Sequence, residues 1–350
     1  MIIACCVCTD RDDEGVLYPL LHGLNRQKRH DVYWRCAAVS LASFARTSHG
    51  NELVLYTDAD FRQSAPQNVI NIIEEIGIVV IKLPFDHFRP PSGVSSRFRN
   101  AFYKLEVIHD LSRGTQSAML VDTDVVAIRN MDQLGFDSGA FLHIYEPYAD
   151  SWSPEHSTEF GDFIEQLFDE RKTLPTRYAG GEFIAGSVDR LAELSSLAKE
   201  AFDRACHLSK SGELRARGDG KSIFDNDEFV LSAAVNQLDY YTGLTSGAAC
   251  SVTSNHRLRR IYTNTRYFTA VPSDVDLILW HLPAEKTRGF GKVFRSILDS
   301  ESWFWTATPE LYIRDMGMRM GVPNRSMIAR YCYAALAFSQ RIISQFSRTT

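Results

Sequence analysis

Long apolar runs and a regular cysteine framework are both missing from this sequence, and each absence excludes a class of protein. No stretch of eighteen apolar residues occurs among the 350 residues, so we expect no transmembrane helix. The apolar start has no basic segment and ends at the charged residues 10–14, which predicts no signal peptide. Seven cysteines, an odd number in a long chain, argue against disulfides and favour a reducing, cytoplasmic location.

An excess of positive charge is also missing. The formal net charge is −5, which argues against a protein that grips nucleic acid over a broad basic face. A phosphate-bearing small ligand needs only a few local cations, so that class of ligand stays open. Hydrophobic residues make up 45% and charged residues 23%, which is an ordinary globular balance.

Short apolar runs alternate with helical periodicity along the first 130 residues. Strands are predicted at 1–8, 52–58, 78–83 and 118–121, and helices at about 16–46, 66–76 and 97–111. This alternation predicts an α/β fold with a mostly parallel sheet flanked by helices. The later part is mixed, with strands predicted at 140–144, 180–186 and 277–281 and helices at 160–172, 188–208 and 225–236. A polar loop is predicted at 209–221 and further helices from about residue 300.

The strongest local signal is Asp122-Thr123-Asp124, which directly follows a run of four apolar residues. Two carboxylates at the end of a buried strand are costly unless a cation pairs with them. A hard divalent cation is the natural partner for such oxygen ligands. The alternative is a pair of surface aspartates in a turn.

A phosphatase is a competing interpretation of the same string. Haloacid-dehalogenase-like phosphatases also place an Asp-x-Asp after an apolar strand, and Asp122 would then be the nucleophile. That motif normally lies on the first strand of its domain, whereas here a complete α/β half precedes it. A non-catalytic protein that binds a sugar nucleotide is a third hypothesis.

Several short motifs, in this order, resemble nucleotide-sugar glycosyltransferases of the GT-A fold, especially family-8-like enzymes. The resemblance runs from Ile2 to His281. It rests on the polar end of the first strand, the basic segment 97–105, the Asp-Thr-Asp motif, the glycine-rich segment 178–186, the acid-amide-acid string 225–228 and Trp280-His281. It implies a domain over 1–295 that binds the donor, a UDP-sugar, and catalyses transfer of its hexose to a glycan, lipid-linked or protein acceptor.

For the metal and the diphosphate, the resemblance implies that Asp122, Asp124 and His281 hold Mn²⁺ or Mg²⁺. A lone histidine is more often structural than a ligand, which is the alternative for His281. Lys286 is the candidate for the diphosphate, although it stands one place early and Ala284 replaces the glycine of relatives, and Lys292 is the alternative.

For the nucleoside and its phosphates, the resemblance implies contacts from Thr9, Asp10 and Thr123, and cations from Arg97 and Lys104. On one continuous helix, Arg97 and Lys104 would share a face with Asn100. The alternative for this segment is a solvated basic helix face.

For the transferred sugar, Gly181 is expected to line the pocket, because glycine lets backbone approach a ligand closely. The alternative is a tight turn at Gly180-Gly181. Glu182, Asp225 and Asp227 are expected to orient hydroxyls, with Asn226 in the amide position of a retaining enzyme. An inverting enzyme would instead use Asp227 or Glu228 as base, and the string could also be a helix N-cap.

The C-terminal part, 296–350, is predicted as a helical extension. Residues 327–346 interleave aromatic and aliphatic side chains with arginines. Such a basic amphipathic helix either packs on its own domain or lies on an anionic membrane or a partner.

Overall fold

A computed structural model describes the fold over much of the chain. The described residues are 1–9, 21, 23–91, 99–131, 140–145, 154–168, 178–214, 224, 227–238, 252–254 and 278–320. The strands are β1 (Ile2–Val7), β2 (Glu52–Thr57), β3 (Val79–Lys82), β4 (Ala118–Val121), β5 (Val125–Ala127), β6 (Ala140–Tyr145), β7 (Tyr178–Gly186), β8 (Val252–Ser254) and β9 (Leu279–His281).

Helices flank these strands. They are α1 (Arg26–Thr47), α2 (Phe61–Ser64), α3 (Gln67–Ile76), α4 (Tyr103–Leu111), α5 (Pro154–Phe168), α6 (Val188–Ser211), α7 (Asp227–Val235), α8 (Gly289–Ile297), α9 (Trp303–Thr306) and α10 (Pro309–Arg319). Short 3-10 turns cover Arg99–Phe102 and Pro283–Glu285. None of the described helices is both long and apolar enough to span a bilayer.

The central sheet has the strand order β3-β2-β1-β4-β7-β6. The first four strands in that order are parallel, β7 is antiparallel to β4, and β6 is antiparallel to β7. The predicted α/β fold with a mostly parallel sheet flanked by helices is therefore confirmed. Because the chain winds one way from β1 to β3 and then returns to β4 on the other side of β1, the carboxyl ends of β1 and β4 border the crevice where such sheets bind ligands.

Two hydrophobic clusters cover the two faces of the sheet. Successive strand residues point to opposite faces, so Ile3 and Cys5 pack with α1, α3 and α8, whereas Ala4 packs with α4, α6 and α7. Helices α9 and α10 join the first cluster through Phe304 and Tyr312. The helices described after residue 296 thus pack on the same core as α1, and the division of the chain at 295/296 stays a prediction.

A second, three-stranded sheet in the order β5-β9-β8 adjoins the acidic turn. Strand β5 is antiparallel to β9, with Val125 opposite His281, and β8 is parallel to β9. The late strand at 277–281 is confirmed as β9. Strand β5 was not predicted, because three residues directly after the Asp-Thr-Asp turn are too short to show alternation.

Three local predictions were wrong in the described residues. The α-helix predicted over 97–111 begins only at Tyr103, after the 3-10 turn, so Asn100 and Lys104 do not share one continuous helix face. Gly180 and Gly181 lie inside β7 rather than in a turn. Helix α6 continues into the predicted loop at 209–221 and ends at Gly212, whose φ of 75° suits glycine. The predicted helix at 327–346 lies outside the described residues.

Candidate metal centre

The Asp-Thr-Asp motif forms a tight turn between β4 and β5. The turn closes with a hydrogen bond of 3.1 Å from the Val125 amide to the Asp122 carbonyl. On one side, the Asp122 amide donates to the Glu182 carbonyl of β7 at 2.9 Å, and on the other the Leu282 amide donates to the Asp124 carbonyl at 2.8 Å. The turn is therefore held between the central sheet and β9. Thr123 is buried within it.

His281 reaches this turn from β9. Its Nε2 atom lies 3.6 Å from Asp124 Oδ2, and its Nδ1 atom lies 3.5 Å from Glu182 Oε1. All three side chains are at least nine-tenths buried. Burial alone would lower the pKa of His281, but the Asp124 carboxylate and the hydrogen bonds that His281 donates to Asp124 and Glu182 raise it to about 10. Glu182 thus fixes one ring nitrogen, and the other faces the acidic turn.

Lys286 approaches the same aspartate from the segment after β9. Its Nζ atom lies 3.0 Å from Asp124 Oδ2. Burial would raise the pKa of Asp124, but Lys286 and then His281 lower it well below its usual range. Asp124 is therefore a buried carboxylate that stays ionised.

Lys104, in the first turn of α4, pairs with the other aspartate of the motif. Its Nζ atom lies 3.2 Å from Asp122 Oδ1, 2.9 Å from Asp227 Oδ2 at the start of α7, and 3.1 Å from the Gly181 carbonyl. Burial would lower the pKa of Lys104, but Asp122 and Asp227 raise it well above its ordinary value. This ammonium links β4, β7 and α7.

Glycine at position 181 leaves the space that the lysine needs. A Cβ atom built there would lie 2.5 Å from Lys104 Nζ and 2.9 Å from Asp227 Oδ2. The Gly181 amide also faces Glu228 Oε1 at 3.4 Å. The glycine of the strand is explained by this close approach.

The end of β1 is fixed by a residue that sequence reasoning missed as a site residue. The amide and the hydroxyl of Thr9 both donate to Asp58 Oδ1, at 2.8 and 3.1 Å. Asp58 follows β2, which is parallel to β1, so the carboxyl ends of the two strands meet. The signal for Asp58 was the polar pair that ends the predicted strand at 52–58.

A divalent cation fits the three predicted ligands. One ligand atom from each of Asp122, Asp124 and His281 lies within 4.8 Å of the other two. Two ligands that each lie about 2.0–2.2 Å from one ion are roughly 3.0–3.4 Å apart, so small side-chain movements would suffice. Within the described part of the chain, Asp124 Oδ1 is buried without a hydrogen-bond partner.

The structure brings together most of the predicted site residues that it describes. Nine of them lie around the acidic turn: Lys104, Asp122, Thr123, Asp124, Gly181, Glu182, Asp227, His281 and Lys286. Glu182 contacts His281, and its prediction as a sugar-orienting residue stays a prediction. Asp10, Arg97, Asp225 and Asn226 lie outside the described residues.

Comparison with known proteins identifies no family for this chain. No protein-family model matches the sequence, and a search of curated proteins gave no match either.

Proposed function

We propose that this protein is a metal-dependent glycosyltransferase of the GT-A fold, family-8-like, that transfers a hexose from a nucleoside diphosphate sugar of the UDP-sugar class. The observation that carries the proposal is the meeting of Asp122, Asp124 and His281 beside the carboxyl end of β4. That edge of the sheet is where the strand order reverses, which favours a nucleotide ligand.

The metal site of the proposal consists of Asp122, Asp124 and His281, with Mn²⁺ or Mg²⁺ as the ion. When bound, the ion supplies positive charge that stabilises the departing nucleoside diphosphate. Glu182 orients His281 through Nδ1 and leaves Nε2 to face the ion.

The protein's own cations and carboxylates have separate tasks in this proposal. Lys104 holds Asp122 and Asp227 in place, because its ammonium contacts both. Lys286 binds the diphosphate of the donor. Asp225, Asn226 and Asp227 are the residues proposed to act on the transferred hexose, and the family resemblance suggests that its anomeric configuration is retained.

Donor turnover tests the proposal. The protein with Mn²⁺ and a panel of UDP-hexoses should release UDP, and Asp124→Ala should lower that rate at least about a hundredfold, because one metal ligand is lost. Asp203→Ala is the matched control, since Asp203 is an exposed aspartate paired with Lys199 on α6, and it should turn over donor as the wild type does.

Two other outcomes would contradict the proposal. Hydrolysis of phosphomonoesters that is lost in Asp122→Asn would identify a phosphatase. Metal-dependent binding of a UDP-hexose with no turnover in the presence of glycan, lipid-linked and protein acceptors would identify a non-catalytic binding protein.

A further inference from the structure

Lys286 forms an ion pair with Asp124, one of the three proposed metal ligands. Its Nζ atom lies 3.0 Å from Asp124 Oδ2, and the same oxygen lies 3.6 Å from His281 Nε2. The lysine side chain is 11% exposed and the aspartate 1% exposed. An ion bound by Asp124 and His281 would therefore lie within a few ångströms of the ammonium, where two positive charges repel.

Contacts that do not involve Asp124 also hold the segment that carries Lys286. The Lys286 carbonyl accepts a hydrogen bond from Cys36 Sγ of α1 at 3.7 Å. The Nζ atom lies 5.6 Å from the centre of the Tyr33 ring on the same helix. A four-carbon stem on a fixed backbone lets the ammonium change partner without a change of fold.

The other ammonium of the site is held differently. Lys104 Nζ contacts Asp122, Asp227 and the Gly181 carbonyl together, which makes it part of the frame. Each ammonium contacts one proposed metal ligand, Lys104 contacting Asp122 and Lys286 contacting Asp124. Of the two ammonium groups, Lys286 is the one whose contact competes directly with the metal for Asp124.

We infer that Lys286 is an exchangeable counterion that couples metal binding to donor binding. Without donor, its ammonium neutralises Asp124 and weakens metal binding. A bound diphosphate offers the ammonium phosphate oxygens instead, and Asp124 is then released to the metal. The inference rests on the proposed function, because it takes a metal and a nucleoside diphosphate as the two ligands.

The coupling must be reciprocal. If UDP raises the affinity for Mn²⁺ by some factor, Mn²⁺ raises the affinity for UDP by the same factor. Couplings of this kind are typically about 5–150-fold. Removal of the Lys286 ammonium removes the positive charge that competes with the metal for Asp124. We therefore expect tighter Mn²⁺ binding in the absence of UDP, even though Lys286 is also a proposed contact of the donor.

Mn²⁺ binding to the full chain, followed by the electron paramagnetic resonance signal of free Mn²⁺, tests the inference with and without UDP. We expect Lys286→Met to bind Mn²⁺ alone at least about fivefold more tightly than the wild type. We also expect the factor by which UDP tightens Mn²⁺ binding to fall at least about fivefold in the variant. Lys210→Met removes an exposed ammonium near the end of α6 and should change neither quantity by more than about twofold.

Equal Mn²⁺ affinities of wild type and Lys286→Met without UDP would overturn the inference and leave the metal site intact. Weaker binding in the variant would also overturn it. Failure of both proteins to bind Mn²⁺ with and without UDP would overturn the proposed metal site itself. Matching near-ultraviolet circular dichroism of the two proteins shows that the variant is folded.

Discussion

At the scale of single residues, the site depends on a glycine, which has no side chain, as much as on the charged residues around it. Gly181 leaves room for Lys104 Nζ, which contacts Asp122 and Asp227. Since this ammonium lies between two carboxylates, its displacement would leave a half-buried and a buried carboxylate without the cation that pairs with both. The position of the Lys104 ammonium therefore requires glycine at position 181.

Gly181→Ala should therefore disturb the site. The added Cβ would lie 2.5 Å from Lys104 Nζ, closer than such atoms approach each other. We expect a loss of about 1–3 kcal/mol in the free energy of unfolding, typical of overpacking, measured by urea denaturation. Gly291→Ala is the control, because its Cβ would meet nothing nearer than Arg35 Nη1 at 3.8 Å. An unchanged stability of Gly181→Ala would contradict this account of the strand glycine.

Much of the residue set could be predicted from the sequence because each residue closes a recognisable strand. Asp122 and Asp124 follow the apolar strand β4, and His281 ends the apolar strand β9, which reaches the same turn through its antiparallel pairing with β5. The contacts between them could not be predicted. That Glu182 faces His281 depends on the antiparallel register of β4 with β7, which no local pattern reveals.

At the scale of elements, β5 is fixed by side chains on the edge away from β9. The Ala127 amide donates to Ser43 Oγ of α1 at 2.8 Å, and the Ala127 carbonyl accepts from the Tyr312 hydroxyl of α10 at 3.1 Å. Without these two partners, the amide and carbonyl of Ala127 would be buried backbone groups that lack a hydrogen bond. Because β5 begins directly after Asp124 and pairs with the strand of His281, helices α1 and α10 help to hold the candidate metal centre.

Tyr312→Phe tests this support. The change leaves the buried Ala127 carbonyl without its donor, so we expect a loss of about 1–3 kcal/mol in the free energy of unfolding, measured by urea denaturation. Tyr56→Phe is a matched control, since its hydroxyl donates to Asp110, which water still reaches, and it should cost less. A loss for Tyr312→Phe no larger than that of the control would argue against the support of β5 from α10.

Elements with long regular patterns were predictable and short or context-dependent ones were not. Strand β4 and helix α3 lie within one residue of their predicted bounds. Strand β5 has three residues and owes its existence to pairing with β9 across a long sequence separation. The glycines of β7 indicated a turn, because glycine alone cannot distinguish a turn from a close approach to a side chain.

At the scale of the whole molecule, the strand order places the site. Four parallel strands in the order β3-β2-β1-β4 leave the carboxyl ends of β1 and β4 side by side, with Thr9 at one end and Asp122 at the other. Helices could be predicted on both faces, but the strand order could not, since it depends on contacts between distant segments. A net charge of −5 is compatible with this site, because its cations are local.

The most direct test of the central claim is the melting temperature of the full chain with UDP-hexoses, with and without Mn²⁺. A ligand at about 100 times its dissociation constant stabilises the native state by about 2.7 kcal/mol. We therefore predict a rise of a few degrees, roughly 1–2 °C per kcal/mol for a chain of 350 residues, that needs both Mn²⁺ and one UDP-hexose and is absent in Asp124→Ala. A rise that persists in Asp124→Ala, or no rise with any nucleotide sugar in the presence of Mn²⁺, would contradict the account.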